Sequence, residues 1–167
     1  MSLNYEFLVE QSGRLVGHSA RILDYGCGRG QLVAAAAARG FDVYGCDSYG
    51  SVWQNSAAES TVPHRIRTMD DTGTIPFDDG AFDIVIANQV FEHISSFERP
   101  LSEIHRVLRS GGLFLNCFPT MEIWFEGHVR APFAQHFFPN SDSWRRYLIV
   151  MHHMRIGKDR AGRTPEQ

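Results

Sequence analysis

The chain has 167 residues, 43% of them apolar, and a formal net charge of −3 at neutral pH. This length suits one domain with a single hydrophobic core, and the composition is ordinary for a globular protein. A net charge this small gives no whole-chain indication of a nucleic-acid binder or a membrane-surface protein. The charges are unevenly spread, because residues 1–127 hold 9 Lys and Arg against 16 Asp and Glu, while residues 128–167 hold 7 against 3.

The three cysteines, Cys27, Cys46 and Cys117, are scattered and show no C-x-x-C spacing. We therefore interpret them as small buried residues in a reducing compartment and not as a disulfide or a metal site. The sequence shows no N-terminal targeting signal and no apolar run of the roughly 18 residues that a membrane span needs. The cytoplasm is the predicted location.

A leading helix is predicted over residues 1–20. Its apolar residues recur at roughly helical spacing and are expected to pack on a sheet: Phe7, Leu8, Leu15 and Val16.

The stretch RILDYGCGRGQL, residues 21–32, predicts a strand followed by a glycine-rich turn. The strand covers 21–25, and a helix of near-pure alanine follows at about 29–39 and is closed by Gly40. A glycine-rich turn between strand and helix is where a doubly wound sheet receives a nucleoside-like ligand. This stretch is therefore the first candidate for a ligand site.

Three glycines, Gly26, Gly28 and Gly30, alternate in this turn after the acidic residue Asp24. Glycine adopts backbone torsions that other residues tolerate poorly, and it lets a ligand approach the main chain. The pattern differs from the dinucleotide fingerprint G-x-G-x-x-G, because the third glycine comes one residue early and Gln31 occupies the fingerprint position. The alternative interpretation is a glycine turn that merely closes a strand–helix joint.

The second predicted strand, residues 41–46, leads into Asp47, 17 residues after Gly30. This separation is close to the roughly 20 residues at which an acid reaches ribose hydroxyls in such folds. The alternative is that Asp47 caps a helix predicted at about 49–59, because Asp favours the N-cap position.

The alternation of strands and helices continues to residue 119. The further predicted elements are a third strand at 64–69, a turn around Pro76 and Gly80, a fourth strand at Phe82–Ala87, a short helix containing Val90 and Phe91, an acidic helix from about Phe97, and a fifth strand at Leu113–Phe118. Five strands alternating with helices over about 120 residues predict a doubly wound parallel sheet covered on both faces. The predicted fold class is α/β, a three-layer α/β/α arrangement.

Two stretches resemble a known family. Asp24 with the alternating glycines is similar to motif I of the class I methyltransferases that bind S-adenosylmethionine, and residues 72–94 resemble the acid–LPF–DG–FD–V–HV pattern of a large subfamily. The helix FERPLSEIHRVL and its G-G turn extend the likeness, with Arg109 and Ser110 where the family has Lys-Pro. The resemblance covers about residues 20–119 and implies a Rossmann-like methyltransferase fold with S-adenosyl-L-methionine as cofactor.

The resemblance also implies which residues bind that cofactor. The turn from Tyr25 to Gly30 should pass under the methionine and ribose portions, and Asp47 should hold the ribose. Asp71 matches the family's acid that accepts from the adenine amino group, and Asp70 competes for this role. The full set of predicted cofactor-binding residues is Asp24, Tyr25, Gly26, Cys27, Gly28, Gly30, Asp47, Ser48, Asp71, Thr72, Asn88 and Gln89.

His93 matches the family's histidine in the H-[IV] step and is the candidate catalytic residue. It is either a general base, since its charge state changes near neutral pH, or a helix-end histidine bonded to backbone. No metal is expected, because the eight histidines form no recognisable ligand spacing with Cys or carboxylates. His128 and His136 are candidates for contact with the methyl acceptor.

The chain after Pro119 departs from the alternating pattern. Residues 120–154 are rich in aromatics, His and Arg and resemble a lid-like insertion, and residues 155–167 form a polar tail. The relatives continue into an antiparallel strand pair, so this chain is either a truncated relative or uses Tyr147 to Met151 as an abbreviated sixth element. We predict a single domain over residues 1–167 that lacks the full strand pair. Either residues 121–154 cover the free edge of the sheet within the molecule, or two chains meet there, and the surplus of aromatics favours self-association as a homodimer.

The favoured function is transfer of a methyl group from S-adenosyl-L-methionine to a small-molecule acceptor by direct displacement. One alternative is a catalytically silent relative that binds the cofactor and acts as a regulatory or partner subunit. The other is a nicotinamide oxidoreductase, which Gln31 disfavours. No nucleic-acid partner is expected.

Overall fold

A computed structural model of the chain describes residues 3–49, 60–118, 125–126, 131–133 and 141–154. The chain divides into two compact units, Met1–Phe118 and Pro119–Gln167. The helix predicted at about 49–59, His128, His136, most of the lid-like segment and the polar tail lie outside the described residues. The organisation as a single domain stays a prediction.

The first unit is built on a five-stranded, all-parallel sheet with the order β3-β2-β1-β4-β5. Its strands are β1 (Arg21–Tyr25), β2 (Asp42–Asp47), β3 (Ile66–Thr68), β4 (Phe82–Asn88) and β5 (Leu108–Cys117). The central strands β1 and β4 are buried on both faces, which explains their nearly continuous apolar sequences. The strand order reverses between β1 and β4, and such a switch point is where open α/β sheets bind ligands, outside the carboxyl ends of the strands.

Helices cover both faces of this sheet, as the sequence predicts. They are α1 (Leu3–Val16), α2 (Gln31–Ala37) and α3 (Glu98–Val107), with 3-10 turns at Pro63–Arg65 and Phe91–His93. Side chains of α1 and α2 pack with Ile22 and Ile84 in one core, whereas α3 packs with Leu23 and Val85 in the other. Because neighbouring strand residues point to opposite faces, these two cores lie on opposite sides of the sheet.

The buried face of α1 differs from the predicted one. Its inward stripe is formed by Tyr5, Leu8, Val9, Ser12 and Val16, whereas Phe7 and Leu15 are more than half exposed. At 3.6 residues per turn the stripe spans about 100° of the helix, and the two exposed residues fall outside it. The prediction is therefore wrong for Phe7 and Leu15.

The fifth strand begins earlier than predicted, at Leu108 directly after α3. Its register with β4 shifts between Phe82 and Ile84, where the extra residues 109–112 loop out as a bulge. Gly111 has a φ of +74° in this bulge, and Arg109 Nε lies 2.6 Å from a carboxylate oxygen of Asp83. The residues at the family's Lys-Pro-Gly-Gly position thus belong to a bulged strand and not to a separate turn.

An irregular segment, residues 69–81, joins β3 to β4 and is tied to α3. Glu103 accepts a hydrogen bond from the Ile75 amide at 2.9 Å, and Arg106 donates to the carbonyls of Ile75 and Phe77 at 2.8 and 2.9 Å. The Ile75 and Phe77 side chains are buried in the core on the α3 side. These contacts fix the segment that carries Asp70 and Asp71.

The second unit contains a two-stranded antiparallel ladder and one helix. These are β6 (Phe125–Glu126), β7 (Ala131–Pro132) and α4 (Asp142–His153). The Tyr147 hydroxyl donates to the Pro132 carbonyl, and the Trp144 and Tyr147 rings stack at 6.0 Å. Tyr147 to Met151, the predicted abbreviated sixth element, form part of α4.

Within the described residues no strand follows β5 in the five-stranded sheet, so β5 is an edge.

None of the helices in the described part of the chain is long and apolar enough to cross a membrane.

Candidate functional site

The glycine-rich turn after β1 lies at the switch point of the sheet. The amides of Gly26 and Cys27 both donate to the Cys46 carbonyl, at 2.8 and 3.1 Å, so the turn folds back onto β2. A Cβ atom added at Gly26 would lie 2.4 Å from Val90 Cγ2, whereas one added at Gly28 would meet no atom of the described residues within 4 Å. Gly26 is therefore required for packing, and the space beside Gly28 is open to a ligand that approaches the main chain.

Asp47 at the end of β2 holds this turn in place. Its two carboxylate oxygens accept hydrogen bonds from the Gly28 and Ser48 amides, both at 2.7 Å. Burial raises the pKa of Asp47, while these two hydrogen bonds act in the opposite direction. A carboxylate is also an acceptor of the kind that ribose hydroxyls need.

Asp24 is 4% exposed, at the carboxyl end of β1. Burial, and then the negative charge of Asp47, raise the pKa of Asp24 to about 8. In the described part of the chain no donor bonds to its carboxyl group. A buried carboxyl without a partner is costly, and groups of this kind concentrate at functional sites.

Sequence reasoning missed Tyr49. Its hydroxyl donates to the Gly28 carbonyl at 2.8 Å and lies 3.8 Å from Cys27 Sγ. Together with Asp47, Tyr49 thus fixes the backbone of Gly28 from both its amide and its carbonyl. Burial raises the pKa of the Cys27 and Cys46 thiols, so both cysteines are buried, unreactive residues as predicted; Cys117 is only partly buried.

The carboxyl end of β4 lies beside this turn, because Ala87 pairs with Tyr25. Asn88 follows in the strand, and its Oδ1 accepts a hydrogen bond from Asn4 Nδ2 at 3.0 Å. Gln89 has a φ of +58° and donates its amide to the Cys117 carbonyl at 2.7 Å. A left-handed torsion at a non-glycine residue costs roughly 1–2 kcal/mol, and such strain clusters at functional sites.

Asp70 and Asp71 follow β3 at the same edge, where the Met69 amide donates to the Asp47 carbonyl at 2.9 Å. The Asp70 carboxylate accepts from the Thr72 amide, the Thr72 hydroxyl and the Thr74 amide at 3.0, 2.7 and 2.8 Å, and hydrogen bonds of this kind lower its pKa to about 2. The Asp71 side chain is exposed. The Thr72 amide, which the resemblance assigns to the cofactor, is engaged with Asp70 here.

His93 ends the 3-10 turn after β4. Its side chain is 61% exposed, and Nε2 lies 4.0 Å from the Glu92 carboxylate. Among the described residues no group of three or more His, Cys, Asp or Glu side chains is placed to hold a metal ion. His93 stays a candidate for proton transfer.

The structure thus brings the predicted residues of β1, β2 and β4 to one edge of the sheet. The Gly28 backbone, the Asp47 carboxylate and the buried Asp24 carboxyl all lie at this edge. Asn4 at the start of α1 also reaches this edge, and the sequence gives no local signal for it, because its partner Asn88 lies 84 positions further along the chain.

Comparison with known proteins identifies the family. A family model described as "Methyltransferase domain" matches residues 23–116. The chain is 35% identical over 111 residues to a sarcosine/dimethylglycine N-methyltransferase of Halorhodospira halochloris, covering 61% of this chain and 38% of that protein. It is 33% identical over 117 residues to a demethylmenaquinone methyltransferase of Symbiobacterium thermophilum, covering 66% of this chain and 45% of that protein.

The chain therefore spans less than half the length of these two curated relatives. Among solved structures, a putative methyltransferase from an antibiotic biosynthesis pathway of Anabaena variabilis has a TM-score of 0.57 at 21% identity, covering 71% of this chain and 49% of that one. At this identity the likeness shows the fold, which is Rossmann-like. The chain belongs to the methyltransferase-domain family of class I S-adenosylmethionine-dependent methyltransferases, and its cofactor is S-adenosyl-L-methionine.

Proposed function

We propose that this chain transfers a methyl group from S-adenosyl-L-methionine to a small-molecule acceptor by direct displacement. The observation that carries the proposal is the turn at the switch point, where Asp47 and Tyr49 fix the Gly28 backbone and no atom of the described residues occupies the side where a Cβ would lie. A turn that only closed a strand–helix joint would need neither the open side nor a buried acid at each of two adjacent strand ends.

The described residues support a role for each part of the site. Asp47 accepts from the ribose hydroxyls while it holds the turn, and each such charge-assisted bond contributes roughly 1.5–3 kcal/mol. Asp24 lies opposite the cationic methionine end. Asp71 accepts from the adenine amino group, because the Asp70 carboxylate is already engaged within its own turn.

The cofactor supplies a methyl group that is activated by its own sulfonium. The chain therefore has to bind and align both reactants, and alignment alone lowers a barrier by up to roughly 7–11 kcal/mol. Asn88 and Gln89 face the methionine end or the acceptor. His93 acts as a base only for an acceptor that must lose a proton before or during transfer.

Calorimetric titration with S-adenosylhomocysteine and with NAD tests the binding step. Turnover with methyl-labelled cofactor then follows on sarcosine, dimethylglycine and demethylmenaquinone, the acceptors in the relatives' names, and on planar phenols. We expect S-adenosylhomocysteine binding, no NAD binding, and methyl transfer that a chelator leaves unchanged. NAD binding without S-adenosylhomocysteine binding would contradict the proposal, and cofactor binding without turnover on a broad panel would favour a catalytically silent partner subunit.

A further inference from the structure

A cavity of about 420 Å³ lies in the first unit, at the amino edge of the sheet. Its charged and aromatic lining residues come from α1, from the loop before β1 and from the segment between α2 and β2: Glu10, Arg14, His18, Arg39 and Phe41. The glycine turn follows β1, so the length of this strand, roughly 15 Å, separates the turn from the cavity. Ligand pockets have volumes of roughly 300–1,000 Å³, and this cavity falls within that range.

One wall of the cavity is a pair of stacked rings. The His18 imidazole lies on the Phe41 ring, with 4.6 Å between the centroids and 23° between the planes. Phe41 is buried and His18 is exposed, so one face of the imidazole covers the phenyl ring and the other face is accessible. A Cβ atom at Gly13 would lie 2.9 Å from Phe41 Cζ, so the missing side chain makes room for the stack beside α1. The cavity therefore offers a flat aromatic surface.

Two arginines line the same cavity against one glutamate. Arg14 pairs with Glu10 at 2.5 Å, whereas the Arg39 guanidinium has no hydrogen-bond or ionic partner among the described residues. This local positive surplus runs against the charge of its surroundings, because residues 1–127 hold 16 acidic against 9 basic side chains. An unpaired guanidinium presents a planar fork of N–H donors that matches a phosphate or a carboxylate.

Arg39 directly follows α2, and basic residues near a helix C-terminus can serve the helix alone by bonding its last carbonyls. In this chain the backbone already does so. The amides of residues 38–41 donate to the last carbonyls of α2, at 3.0 to 3.2 Å. The Arg39 guanidinium is therefore not needed as a cap and is available to a ligand.

We propose that this cavity is a second ligand site, which binds a small anion carried on a flat ring, an aryl phosphate or an aryl carboxylate. The Arg39 guanidinium binds the anionic oxygens, Arg14 adds positive charge beside it, and the ring of the ligand stacks on His18. The site lies at the opposite edge of the sheet from the glycine turn, so it does not depend on the proposed methyl transfer.

Heteronuclear NMR titration of the full chain at constant ionic strength tests this site with three probes. Phenyl phosphate and benzoate carry a ring with either anionic group, and inorganic phosphate has no ring. The amides of Gly13 and Phe41 report on the cavity, and the amide of Gly28 reports on the other edge of the sheet. Both ring-bearing probes should shift the two cavity amides and leave Gly28 unchanged, and the tighter of the two identifies the preferred anionic group.

Three variants separate the contributions of charge and ring. Arg39→Gln should weaken binding of the ring-bearing probes about 10-fold or more, as expected for the loss of a charge-assisted hydrogen bond. His18→Ala should weaken phenyl phosphate binding more than inorganic phosphate binding, because only the former stacks. Arg145→Gln, at an exposed position of α4, is the control and should stay within about twofold of wild type. Thermal unfolding of each variant checks that the fold is intact.

Equal affinity of wild type and Arg39→Gln for the ring-bearing probes would overturn the inference. Inorganic phosphate that binds as tightly as phenyl phosphate would also overturn it, because the ring would then contribute nothing. Absence of shifts at Gly13 and Phe41 with all three probes would leave the two arginines with a role at the helix ends only. S-adenosylhomocysteine binding by Arg39→Gln should stay within about twofold of wild type, and a wild-type chain that does not bind it would contradict the cofactor proposal alone.

Discussion

The carboxyl groups of Asp24 and Asp47, at the ends of the neighbouring strands β1 and β2, differ in the hydrogen bonds that they accept. Asp47 accepts two backbone amides, whereas Asp24 is buried without a donor from the described residues. Pairs of titratable groups in contrasting environments are typical of binding and catalytic sites. We therefore expect Asp47 to act through hydrogen bonds, and Asp24, once ionised, to act as the counter-charge for a cation.

Because the pKa of Asp24 is raised in the folded chain, we expect the free energy of unfolding to fall as the pH rises. An aspartate in an unfolded chain titrates near pH 3.9, and Asp24 in the folded chain titrates at about 8. Its contribution to stability is therefore complete below about pH 4 and is lost as the pH rises to about 8, by up to about 1.4 kcal/mol per pH unit. Asp24→Asn should be more stable than wild type to urea at pH 8.5, by a difference that shrinks toward pH 4.

Asp78→Asn, at an exposed position, is the control for this experiment. A difference between Asp24→Asn and wild type that does not change with pH would contradict the raised pKa. At pH 8.5, where Asp24 is mostly ionised, the same variant should bind S-adenosylhomocysteine more weakly, because the counter-charge for the ammonium is gone.

Replacing Asp47 should weaken cofactor binding more than it weakens the fold. Asp47→Ala loses one or two charge-assisted bonds to the ribose, roughly 2–4 kcal/mol, or about 30- to 1,000-fold in affinity. It also frees the Gly28 amide, so part of the loss comes from a less ordered turn. Calorimetry with 5′-methylthioadenosine measures the effect, and Asp42→Ala at the opposite end of β2 is the control. Unchanged affinity in a folded Asp47→Ala variant would leave Asp47 with a purely structural role.

At the scale of elements, two glycines of the same turn have different roles: we expect Gly26 to serve packing and Gly28 to serve ligand binding. Gly26 has a φ of +73° and faces the stiff, β-branched Val90, whereas Gly28 has a φ of +52° and faces no atom of the described residues within 4 Å. Gly26→Ala should lower the free energy of unfolding by about 2–4 kcal/mol, from the left-handed torsion and from overpacking. Gly28→Ala should cost only about 1–2 kcal/mol, yet weaken S-adenosylhomocysteine binding roughly tenfold or more.

Urea unfolding and calorimetry on both variants check this pair. If Gly28→Ala kept full affinity, the open side of Gly28 would not be where the cofactor approaches. If Gly26→Ala were as stable as wild type, the contact with Val90 would not constrain the turn.

Local sequence signals predict most of the sheet, because apolar runs and glycine turns consist of consecutive residues. β1, β2 and β4 follow their predicted bounds to within one residue. The bulge in β5 was not predictable, since it depends on register with β4 and on Asp83 across the sheet. The hydrogen bond from Asn4 to Asn88 was missed for the same reason, because only the folded chain brings α1 to the carboxyl edge.

At the scale of the whole molecule, the five-stranded sheet has β5 as one edge. Leu113 and Phe118, in and just after β5, have exposed fractions of 40% and 50%. Exposed strand edges invite pairing with another chain unless they are covered. The charge distribution adds an attraction between chains, since residues 128–167 hold a basic excess of 7 against 3 and residues 1–127 an acidic excess of 16 against 9.

We therefore expect the chain to self-associate through the β5 edge, and to do so less at high salt, where attraction between surface charges is screened. Sedimentation velocity at tens of micromolar should show a dimer at low salt and a smaller dimer fraction at high salt. Leu113→Lys places a charge on the edge strand and should shift the chain toward monomer, whereas Phe7→Lys, on the exposed face of α1, should not. A monomer at both salt concentrations would contradict self-association, and a dimer that tolerates Leu113→Lys would place the contact elsewhere on the molecule.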